Sequence, residues 1–520
     1  MLCLRNPGGL THYGRSKGIL VRDVSTIAPA LSPVFSLEAA RAAEEELLSR
    51  EVEPDALMKK AAQACAEGAA ALLPLPGQTE PARVLVVAGP GGNGGDGLFA
   101  GAHLALLGHT VHAILTADTA HEAAHNTFLA AGGQVVSAQD ASTNGMYDLV
   151  IDAVAGLGSS REATEEVAAL MARGRKVLSI DAPTGCGTQR SVIADATITF
   201  GHARTVHAEH PECGEVLIAD IGLAELIGKH APVGYTSAEP SCDSNLWESP
   251  LPEGIARLAD TGPIPRLIPG IFDNKYTHGV TGIAAGSEQF PGAGIMCTAG
   301  AVHTTTSMVL TIGDITNFPE VVPVKDVAAA RRVDAWVVGP GRGTDDAALS
   351  ELEEILDSKL PVVIDADAIT LIAQHPHLRE RVRGAVLTPH AGEFARLGGK
   401  SQQQLSDELG CHILLKGRIT TITSPHELPV SINTGNSFAA TAGSGDVLAG
   451  VIGALLAWRS VHHPTQDSMQ PSMQRTLLSA VAIHAHAAAL SAKQPEGYAP
   501  TTAMAIATAL SRAIAKLNNR

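Results

Sequence analysis

Residues 83–107 read RVLVVAGPGGNGGDGLFAGAHLALL, and this stretch decides the fold class. Residues 83–88 are a short valine-rich run that predicts a buried strand. Glycine dominates residues 89–97, which we interpret as a loop, and residues 98–107 have the apolar spacing of a helix. A strand, a glycine loop and a helix in this order are the first unit of a doubly wound α/β fold.

The same alternation continues along the first half of the chain. We predict strands at residues 110–115, 147–152, 176–181, 196–200 and 216–220, and helices at 34–73, 119–131 and 161–173. Open α/β sheets bind ligands outside the carboxyl ends of their strands, so polar side chains gathered at that edge indicate a site. The candidates are Asn93, Asp96, Asp152 and Asp181. In the alternative interpretation, Asp152 and Asp181 only cap turns.

The length of the chain, 520 residues, is too great for one hydrophobic core, so two or more domains are expected. Proline, serine, glutamate and glycine dominate residues 228–270 and the hydrophobic period fades there, which indicates a boundary. We therefore predict a loose tail at 1–33, a first domain at 34–228, a linker at 229–270 and a second domain at 271–520.

The second half is also α/β in its pattern. We predict strands near residues 280–285, 335–339, 361–368, 385–390 and 412–417, and an alanine-rich helical tail at 474–517. A further glycine-rich loop ends in Gly443-Ser444-Gly445-Asp446, and we predict that an apolar helix begins near Asp446. The first amides of a helix lack partners and favour negative charge, so this loop is suited to hold a phosphate.

Asp446 brings a negative charge to this anion site, which is unusual for a phosphate ligand. It makes more sense as a base that takes a proton from a hydroxyl beside the phosphate. The alternative is that Asp446 only caps the helix, since aspartate is a favoured N-cap residue. The residues alone leave both interpretations open.

Composition limits the class of protein. The formal net charge of −16 argues against a broad nucleic-acid surface. The seven cysteines are scattered without a Cys-x-x-Cys pair, which is typical of reduced cytoplasmic thiols and not of a disulfide framework or a zinc site. No run reaches the roughly 20 apolar residues of a membrane span. The best run, 447–458, ends at Arg459.

The motifs of both halves, taken in order, resemble two enzyme families. The second half resembles the ribokinase-like ADP- or ATP-dependent NAD(P)H-hydrate dehydratases in Gly292-Ala293, Gly339-Pro340-Gly341, residues 365–368, residues 388–393, Leu415-Lys416-Gly417 and residues 443–450. The first half resembles the NAD(P)H-hydrate epimerases in residues 91–97, Asp152 with Gly156 and Gly158, residues 181–185 and residues 197–201. The resemblance implies an N-terminal Rossmann-like three-layer αβα domain followed by a C-terminal ribokinase-like α/β domain.

For the second half, the resemblance implies a nicotinamide dinucleotide that is hydrated at ring carbon six as the substrate. Asp446 would be the catalytic base, and ADP or ATP would be the co-substrate, together with a magnesium ion. The residues implied for the nucleotide are Lys416, Gly417, Arg418, Ile419, Thr420 and Gly445. Those implied for the hydrate are Ala293, Gly341, His390 and Asp446.

For the first half, the resemblance implies interconversion of the two epimers at ring carbon six, with Asp181 as the catalytic residue. The residues implied for the substrate are Gly92, Asn93, Gly94, Gly95, Asp96, Gly156, Leu157, Gly158 and Asp181. A potassium ion would be held by Asn93, Asp152 and Thr184, an oxygen-only set that suits a hard cation. The chain departs from the families at Gly92, Thr184, Arg204 and Arg342, where asparagine, serine, lysine and an apolar residue are usual.

Two other functions compete with this interpretation. A ribokinase-like kinase of a small alcohol, such as a vitamin, would need the same loop around Asp446. The first half could also be a binding or scaffold domain, although that role does not require Asn93, Asp152 and Asp181 together. We expect small-molecule partners, no nucleic acid, no membrane, a homo-oligomeric state and a cytoplasmic location.

Overall fold

The computed structural model describes residues 31–74, 81–143, 145–157, 161–239, 246–313, 317–463 and 472–519. Residues 1–30 of the predicted tail lie outside these ranges, and Ser32 and Pro33 are part of a strand, so the predicted tail does not extend to residue 33. The strands are β1 (Ser32–Phe35), β2 (Arg83–Ala88), β3 (Thr110–Leu115), β4 (Gln134–Val135), β5 (Leu149–Ala153), β6 (Val177–Ile180), β7 (Ala196–Phe200), β8 (Ala203–Arg204), β9 (Glu215–Ala219), β10 (Gly234–Ala238), β11 (Ile255–Arg257), β12 (Thr281–Ala284), β13 (Val309–Ile312), β14 (Val322–Val324), β15 (Ala335–Val338), β16 (Val362–Ile364), β17 (Val386–Leu387), β18 (His412–Leu415), β19 (Ile419–Thr423), β20 (Val430–Asn433), β21 (Lys493–Gln494) and β22 (Gly497–Tyr498).

The α-helices of the described residues alternate with these strands through most of the chain. They are α1 (Leu37–Leu48), α2 (Ala56–Leu72), α3 (Gly92–Leu106), α4 (Glu122–Ala130), α5 (Ala138–Thr143), α6 (Glu165–Met171), α7 (Thr205–Glu209), α8 (Ala224–Ile227), α9 (Pro291–Val302), α10 (Asp346–Asp357), α11 (Asp367–Gln374), α12 (Ala391–Arg396), α13 (Gln402–Leu409), α14 (Ser444–His462), α15 (Met473–Ala492) and α16 (Ala503–Asn518). Short 3-10 helices occur at Pro211–Cys213 and Pro376–Leu378.

The first sheet has eight strands in the order β11-β9-β7-β6-β5-β2-β3-β4. Every pair is parallel except β11 with β9, as an α/β fold requires. β2 is central, and its Val84–Val87 side chains are fully buried. The chain leaves β2 toward β3 on one side and returns to β5 on the other. The strand order therefore reverses between β2 and β5, which opens a crevice at their carboxyl ends.

Helix α3 begins earlier than predicted, because Gly92–Gly97 form its first turns and not a loop. The glycines serve close packing: a Cβ atom added to Gly94 would lie 1.8 Å from the carbonyl oxygen of Gly89. One added to Gly97 would lie 2.4 Å from the Cβ of Ala153. The glycine run that predicted a loop is therefore the start of a helix, and its N-terminus packs closely against the ends of β2 and β5.

The helix predicted for residues 34–73 is two helices, α1 and α2, preceded by β1. Ser36 is the N-cap of α1, since its side chain accepts a hydrogen bond of 3.2 Å from the Ala39 amide. The tail predicted as helix is likewise two helices, α15 and α16, with the β21–β22 hairpin between them.

The second sheet contains 12 strands in the order β14-β13-β12-β15-β16-β17-β18-β19-β20-β10-β1-β8. The strands from β14 to β18 are parallel, and the strand order reverses between β12 and β15. The carboxyl ends of β12, β15, β16, β17 and β18 therefore lie along one edge. That edge carries the motifs that were read from the second half of the sequence.

The segment 229–270 is not a structureless linker. Its strand β10 pairs with β20 of the second half and with β1 of the first, while β11 extends the first sheet beside β9. β1 in turn pairs with β8, so hydrogen bonding runs from the second half into the first. Sequence periodicity missed β10 and β11 because both are short and are stabilised by pairing partners far away in the chain.

Helix α14 is the central helix of the second half. Its side chains Val447, Ile452 and Leu455 are fully buried in the largest hydrophobic cluster of that half. A Cβ on Gly450 would lie 2.1 Å from the Cys297 carbonyl oxygen, so glycine allows α14 and α9 to pack backbone to backbone. By length and hydropathy alone, α14 is long and apolar enough to cross a membrane, which the sequence run 447–458 did not indicate. A buried core helix of a folded domain has the same length and hydropathy.

Candidate active sites

The first site is a cavity of about 690 Å³ at the crevice between the carboxyl ends of β2 and β5. Its walls come from α1, α2, the first turn of α3 and the loops after β5 and β6. The charged and amide side chains in the wall are Arg41, Glu44, Asn93, Asp96, Arg161 and Asp181. Asn93, Asp96 and Asp181 thus meet at one cavity, as expected for polar residues at this edge of the sheet.

Asp181 is held firmly at the end of β6. Its φ of 66° is in the left-handed region, which is strained for a residue other than glycine and is often found at functional sites. The carboxylate accepts hydrogen bonds from the Leu157 amide at 2.8 Å and from the Thr199 hydroxyl at 3.3 Å. Its carbonyl oxygen accepts one from Nε2 of His207 at 2.7 Å. The carboxylate is therefore oriented before any ligand binds.

Two further carboxyl groups stand near Asp181. Burial raises the pKa of Asp96 well above its usual range, and the charges of Asp181 and Glu44 raise it further. Burial, followed by the charge of Asp181, also raises the pKa of Glu44. Burial and nearby negative charges both favour the protonated form of a carboxyl group, which is why the two pKa values are raised. Such an arrangement suits proton transfer.

Arg204 occupies the position where the family resemblance led us to expect lysine. Its side chain is almost fully buried and donates hydrogen bonds to the Thr199 hydroxyl at 2.8 Å and to two carbonyl oxygens. Thr199 in turn donates to Asp181. Arg204 therefore keeps a positive charge near Asp181 and helps to position the Asp181 carboxylate through the Thr199 hydroxyl.

The oxygen donors of Asp152 and Thr184 fit a monovalent cation. Asp152 is fully buried, and burial raises its pKa. Its carboxylate accepts hydrogen bonds from the Thr184 hydroxyl and amide, at 2.7 and 2.8 Å, and from Ser179 at 3.0 Å. Among the described side chains, no lysine or arginine forms a salt bridge with it. A buried carboxylate that has only neutral donors is suited to a hard cation.

The sequence-predicted residues of the first site divide into three groups. Gly92, Asn93, Asp96, Gly156, Leu157 and Asp181 line the cavity. Gly94 and Gly95 do not, because they are buried within α3, and the place of a Gly95 Cβ would be 2.7 Å from the Met58 sulfur. Gly158 lies outside the described residues.

The second site is a cavity of about 460 Å³ at the carboxyl ends of β17 and β18. The start of α14, part of α15 and the loop after β20 close its other sides. Of the predicted residues, it is lined by His390, Lys416, Gly417, Arg418, Thr420 and Gly445. Ile419, which was predicted to contact nucleotide, and Asp446, which was predicted as the base, are not part of the lining, although Gly445 next to Asp446 is. The glycine loop and the lysine strand end, far apart in sequence, thus face one cavity.

Asp446 lies in the first turn of α14, which begins at Ser444 and therefore earlier than predicted. The N-cap is Gly443, whose φ of 82° favours glycine, so the alternative of Asp446 as a simple cap is wrong. Burial raises the pKa of Asp446 to about 7, with a further contribution from Asp365, while Lys416 lowers it. A carboxylate with a pKa near neutrality is suited to act as a general base.

Lys416 connects the carboxylates of the second site. Its ammonium group lies 2.7 Å from Oδ1 of Asp365, which is almost fully buried, and 4.0 Å from Oε2 of Glu393. Burial lowers the pKa of Lys416, but Asp365, Glu393 and Asp446 together raise it above the usual value. A Cβ added to Gly445 would be 3.4 Å from the ammonium nitrogen. The lysine charge therefore stands beside the helix N-terminus that could hold phosphate.

His390 begins α12 as its N-cap residue. Its Nδ1 accepts from the Gly392 amide at 2.9 Å, while the ring stays half exposed at the cavity. Ala293 and Gly341, the other residues predicted for the hydrate, lie away from this cavity at the strand reversal between β12 and β15. A Cβ on Gly341 would be 2.6 Å from that of Ala293. The sequence-predicted hydrate residues thus do not share one wall.

Arg342 is the residue that departs from the apolar family pattern. Its guanidinium donates two hydrogen bonds, of 2.7 and 2.6 Å, to the Glu351 carboxylate. A third goes to the Gly286 carbonyl oxygen at 3.0 Å. This bidentate pair ties the loop after β15 to α10 and to the loop after β12.

Sequence reasoning missed Glu44, Arg41 and Glu393 as members of these sites. Glu44 and Arg41 come from α1, where they look like ordinary charges on an amphipathic helix. Glu393 follows His390 by three residues, and its carboxylate accepts from the His390 amide at 2.9 Å. That spacing is the capping-box signal, which could have placed Glu393 at this helix start.

Comparison with known proteins gives consistent results for the two halves. Residues 281–511 match a family model described as NAD(P)H-hydrate dehydratase, and residues 54–206 match one described as YjeF-related protein N-terminus. A structure titled ADP/ATP-dependent NAD(P)H-hydrate dehydratase from Bacillus subtilis, co-crystallized with ATP/Mg2+, is 22% identical, with a TM-score of 0.39, covering 48% of this chain and 94% of that one.

Whole-length relatives carry both halves. A protein of Corynebacterium glutamicum named bifunctional NAD(P)H-hydrate repair enzyme Nnr is 35% identical, over 94% of this chain and 99% of its own length. One of Mycobacterium tuberculosis with the same name is 41% identical, over 81% of this chain and 89% of its own. Similarity on this scale, across both halves, favours this family over the small-molecule kinase. The chain belongs to the family of bifunctional NAD(P)H-hydrate repair enzymes.

Proposed function

We propose that this chain repairs hydrated NADH and NADPH in two steps at two separate sites. The first site interconverts the R and S epimers at ring carbon six. The second removes water from the S epimer with ADP or ATP as co-substrate. The observation that carries this proposal is that a chain of this family has a cavity at the strand ends of each of its two sheets. Asp181 lines the first cavity, and Asp446, whose pKa is raised to about 7, lies in the first turn of α14, the start of which lines the second.

At the first site, Asp181 transfers the proton that inversion at ring carbon six requires. The two hydrogen bonds to its carboxylate fix its direction, and Asp96 and Glu44, whose pKa values are raised by burial and by the charge of Asp181, lie nearby. Asn93, Asp152 and Thr184 would hold a potassium ion, whose positive charge would offset the negative charge of the dinucleotide. The buried Asp152 supports this assignment, since it has only neutral hydrogen-bond donors.

At the second site, Asp446 takes the proton of the ring hydroxyl while the hydroxyl oxygen attacks the terminal phosphorus of the nucleotide. The oxygen–phosphorus bond forms and ADP or AMP departs. The carbon–oxygen bond then breaks, phosphate leaves, and a proton is lost from the neighbouring ring carbon, which restores the reduced nicotinamide. Phosphorylation is needed because hydroxide is a poor leaving group.

Other groups of the second site stabilise the transferring phosphate. The free amides at the start of α14, including that of Gly445, and the Lys416 ammonium group face the developing negative charge. Gly417, Arg418 and Thr420 bind the nucleotide, and His390 contacts the hydrate. A magnesium ion bound together with the nucleotide would neutralise part of the phosphate charge.

The site supports a nucleotide co-substrate without favouring ADP or ATP. We also propose that the chain works in the cytoplasm on small-molecule substrates. The free thiols of Cys65, Cys186, Cys213, Cys297 and Cys411 support a reducing compartment.

The experiment supplies purified protein with hydrated NADH and either ADP or ATP. Absorbance of the reduced nicotinamide should return, and nucleotide should be consumed in proportion. A control without nucleotide should show no return beyond the spontaneous rate. Failure of both nucleotides to restore absorbance would contradict the proposal, as would phosphorylation of the hydrate without elimination.

A further inference from the structure

Three side chains of types that bind metals meet in the first half, outside the lining of the first cavity. They are Cys186, in the loop after β6, His210, after α7, and Glu212, in the 3-10 helix Pro211–Cys213. One ligand atom from each lies within 4.8 Å of the other two. The sequence did not reveal this cluster because the fold, and not a short spacing motif, brings Cys186 to the other two.

Glu212 provides a second, independent observation, an unpartnered buried oxygen atom. Its Oε2 atom is buried and accepts no hydrogen bond in the described part of the chain. The nearest charged partner is Nδ1 of His210, at 3.9 Å, which is too long for a hydrogen bond. A buried carboxylate oxygen without a donor is costly. A cation between Glu212, His210 and Cys186 would remove that cost.

The neighbouring thiol has a spacing typical of metal ligands. Sγ of Cys213 lies 3.9 Å from Sγ of Cys186. Two sulfurs on a tetrahedral zinc ion, each about 2.3 Å from it, stand about 3.8 Å apart. A disulfide would need about 2.05 Å. Cys213 is therefore next to the open fourth position of an ion that is held by the other three residues.

The backbone holds the cluster in place. The Cys186 amide donates to the Pro183 carbonyl oxygen at 3.0 Å, and the Glu212 carbonyl oxygen accepts from the Ala194 amide at 2.9 Å. The His210 ring packs against Gly187, where a Cβ would be 2.7 Å from the ring carbon Cε1. The ligands therefore stand on anchored segments and need only small side-chain movements to close around an ion.

We propose that Cys186, His210 and Glu212 bind a Zn²⁺ ion. Thiolate, imidazole and carboxylate are the ligands that zinc prefers, in contrast to the oxygen-only set of Asn93, Asp152 and Thr184. The ion would clamp the loop 182–187, which follows the catalytic candidate Asp181, onto the segment 210–213. The scattered cysteines, with no Cys-x-x-Cys pair, predicted no zinc site, because a cluster assembled by the fold leaves no such spacing in the sequence.

The test uses the full-length protein, kept reduced and stripped of metal with a chelator, and titrates it with Co²⁺. The wild type should bind one equivalent and show the thiolate-to-cobalt absorption together with the visible bands of a tetrahedral ion. Zn²⁺ should abolish both. The Cys186→Ser variant should lose the thiolate band, and Glu212→Gln should weaken Co²⁺ binding at least about tenfold. Circular dichroism of each variant checks that it is folded.

Cys411→Ser is the matched control, because Cys411 is a buried thiol in the second half of the chain. It should keep the wild-type cobalt spectrum and affinity. Absence of a thiolate band in the wild type would overturn the proposal. So would an unchanged band in folded Cys186→Ser, or a loss of the band in Cys411→Ser and not in Cys186→Ser.

Discussion

Asp446 shows how the surroundings of one residue set its chemistry. Burial and the charge of Asp365 raise its pKa to about 7, while Lys416 limits the rise. The deprotonated form is the base, so its population increases as the pH passes through 7. An aspartate at a solvent-exposed helix start would have a pKa well below 7 and would already be ionised at neutral pH.

We therefore expect the nucleotide-dependent dehydration to increase with pH and to reach half its maximum near pH 7. Below that point, kcat/KM should fall about tenfold for each pH unit. Asp446→Asn keeps the shape but removes the base, so dehydration of the S epimer should collapse while nucleotide still binds. Stopped assays on the pure S epimer across pH values test this. A near wild-type rate in the variant would show that Asp446 is not the base.

Lys416→Ala removes the cation that faces the phosphates. Loss of a charged hydrogen bond costs about 1.5–3 kcal/mol, so nucleotide affinity should fall roughly 10- to 100-fold, and hydrate affinity much less. Calorimetry measures both. Unchanged nucleotide binding would contradict the assignment of Lys416 to the nucleotide phosphates.

The same substitution leaves Asp365 buried without its partner, which costs about 3–5 kcal/mol of stability. The double variant Lys416→Ala/Asp365→Asn removes that unpaired charge and is the control. It should recover much of the lost stability in denaturant unfolding without recovering nucleotide affinity. Recovery of affinity would mean that Lys416 acts on folding and not on the nucleotide.

At the scale of elements, the sequence predicted strands best where a run is apolar and central. β2, β3 and β7 have the predicted bounds because the apolar pattern of each is local; β2 and β7 are almost entirely buried and β3 is half buried. The predicted start of α3 was wrong, because a run of glycines can indicate either a flexible loop or a closely packed helix. β10 and β11 were missed because distant partners stabilise them. The pairing of Lys416 with Asp365 was likewise invisible, since it depends on neighbouring β16, β17 and β18.

Gly94→Ala tests the close packing of α3. The added Cβ would lie 1.8 Å from the Gly89 carbonyl oxygen, so α3 must shift away from the end of β2. We expect a loss of more than about 2 kcal/mol in the unfolding free energy of the first half, together with loss of epimerase activity. Dehydration of the pure S epimer should remain.

Gly91→Ala is the matched control for this prediction. A Cβ there would meet nothing within 4 Å, and Gly91 has a φ of −95°, which alanine can adopt. Gly91 is the N-cap of α3, where glycine is preferred over alanine, so the substitution should cost up to about 1 kcal/mol and less than Gly94→Ala. Equal effects of the two substitutions would contradict the account of α3 as a tightly packed helix.

At the scale of the whole molecule, the two halves each have a hydrophobic core but share hydrogen bonding through β10 and β1. Two contacts strengthen this junction: Nε2 of His486 lies 2.6 Å from the Glu239 carboxylate, and the Glu239 amide donates to the Asn433 carbonyl oxygen at 2.9 Å. The segment that sequence composition marked as a linker is therefore partly a structural component of the second half.

The shared strand predicts that the stability of an isolated second half depends on where the chain is cut. A fragment of residues 229–520 keeps β10, Glu239 and the core residues Ile264 and Leu267, whereas a fragment of residues 271–520 loses them. The longer fragment should unfold at a clearly higher temperature. It should also keep more dehydratase activity, since an exposed β20 edge destabilises the shorter one. Equal melting temperatures would show that β10 contributes no stability to the second half.

The central claim is that Asp181 and Asp446 serve separate sites that act in sequence, and one measurement tests it most directly. A progress curve is recorded on mixed R and S hydrates with nucleotide present. Wild type should run to completion in one phase. Asp181→Ala should show a fast phase for the S epimer and then a slow phase at the spontaneous epimerisation rate, which an added separate epimerase abolishes. A single fast phase in Asp181→Ala would contradict the claim.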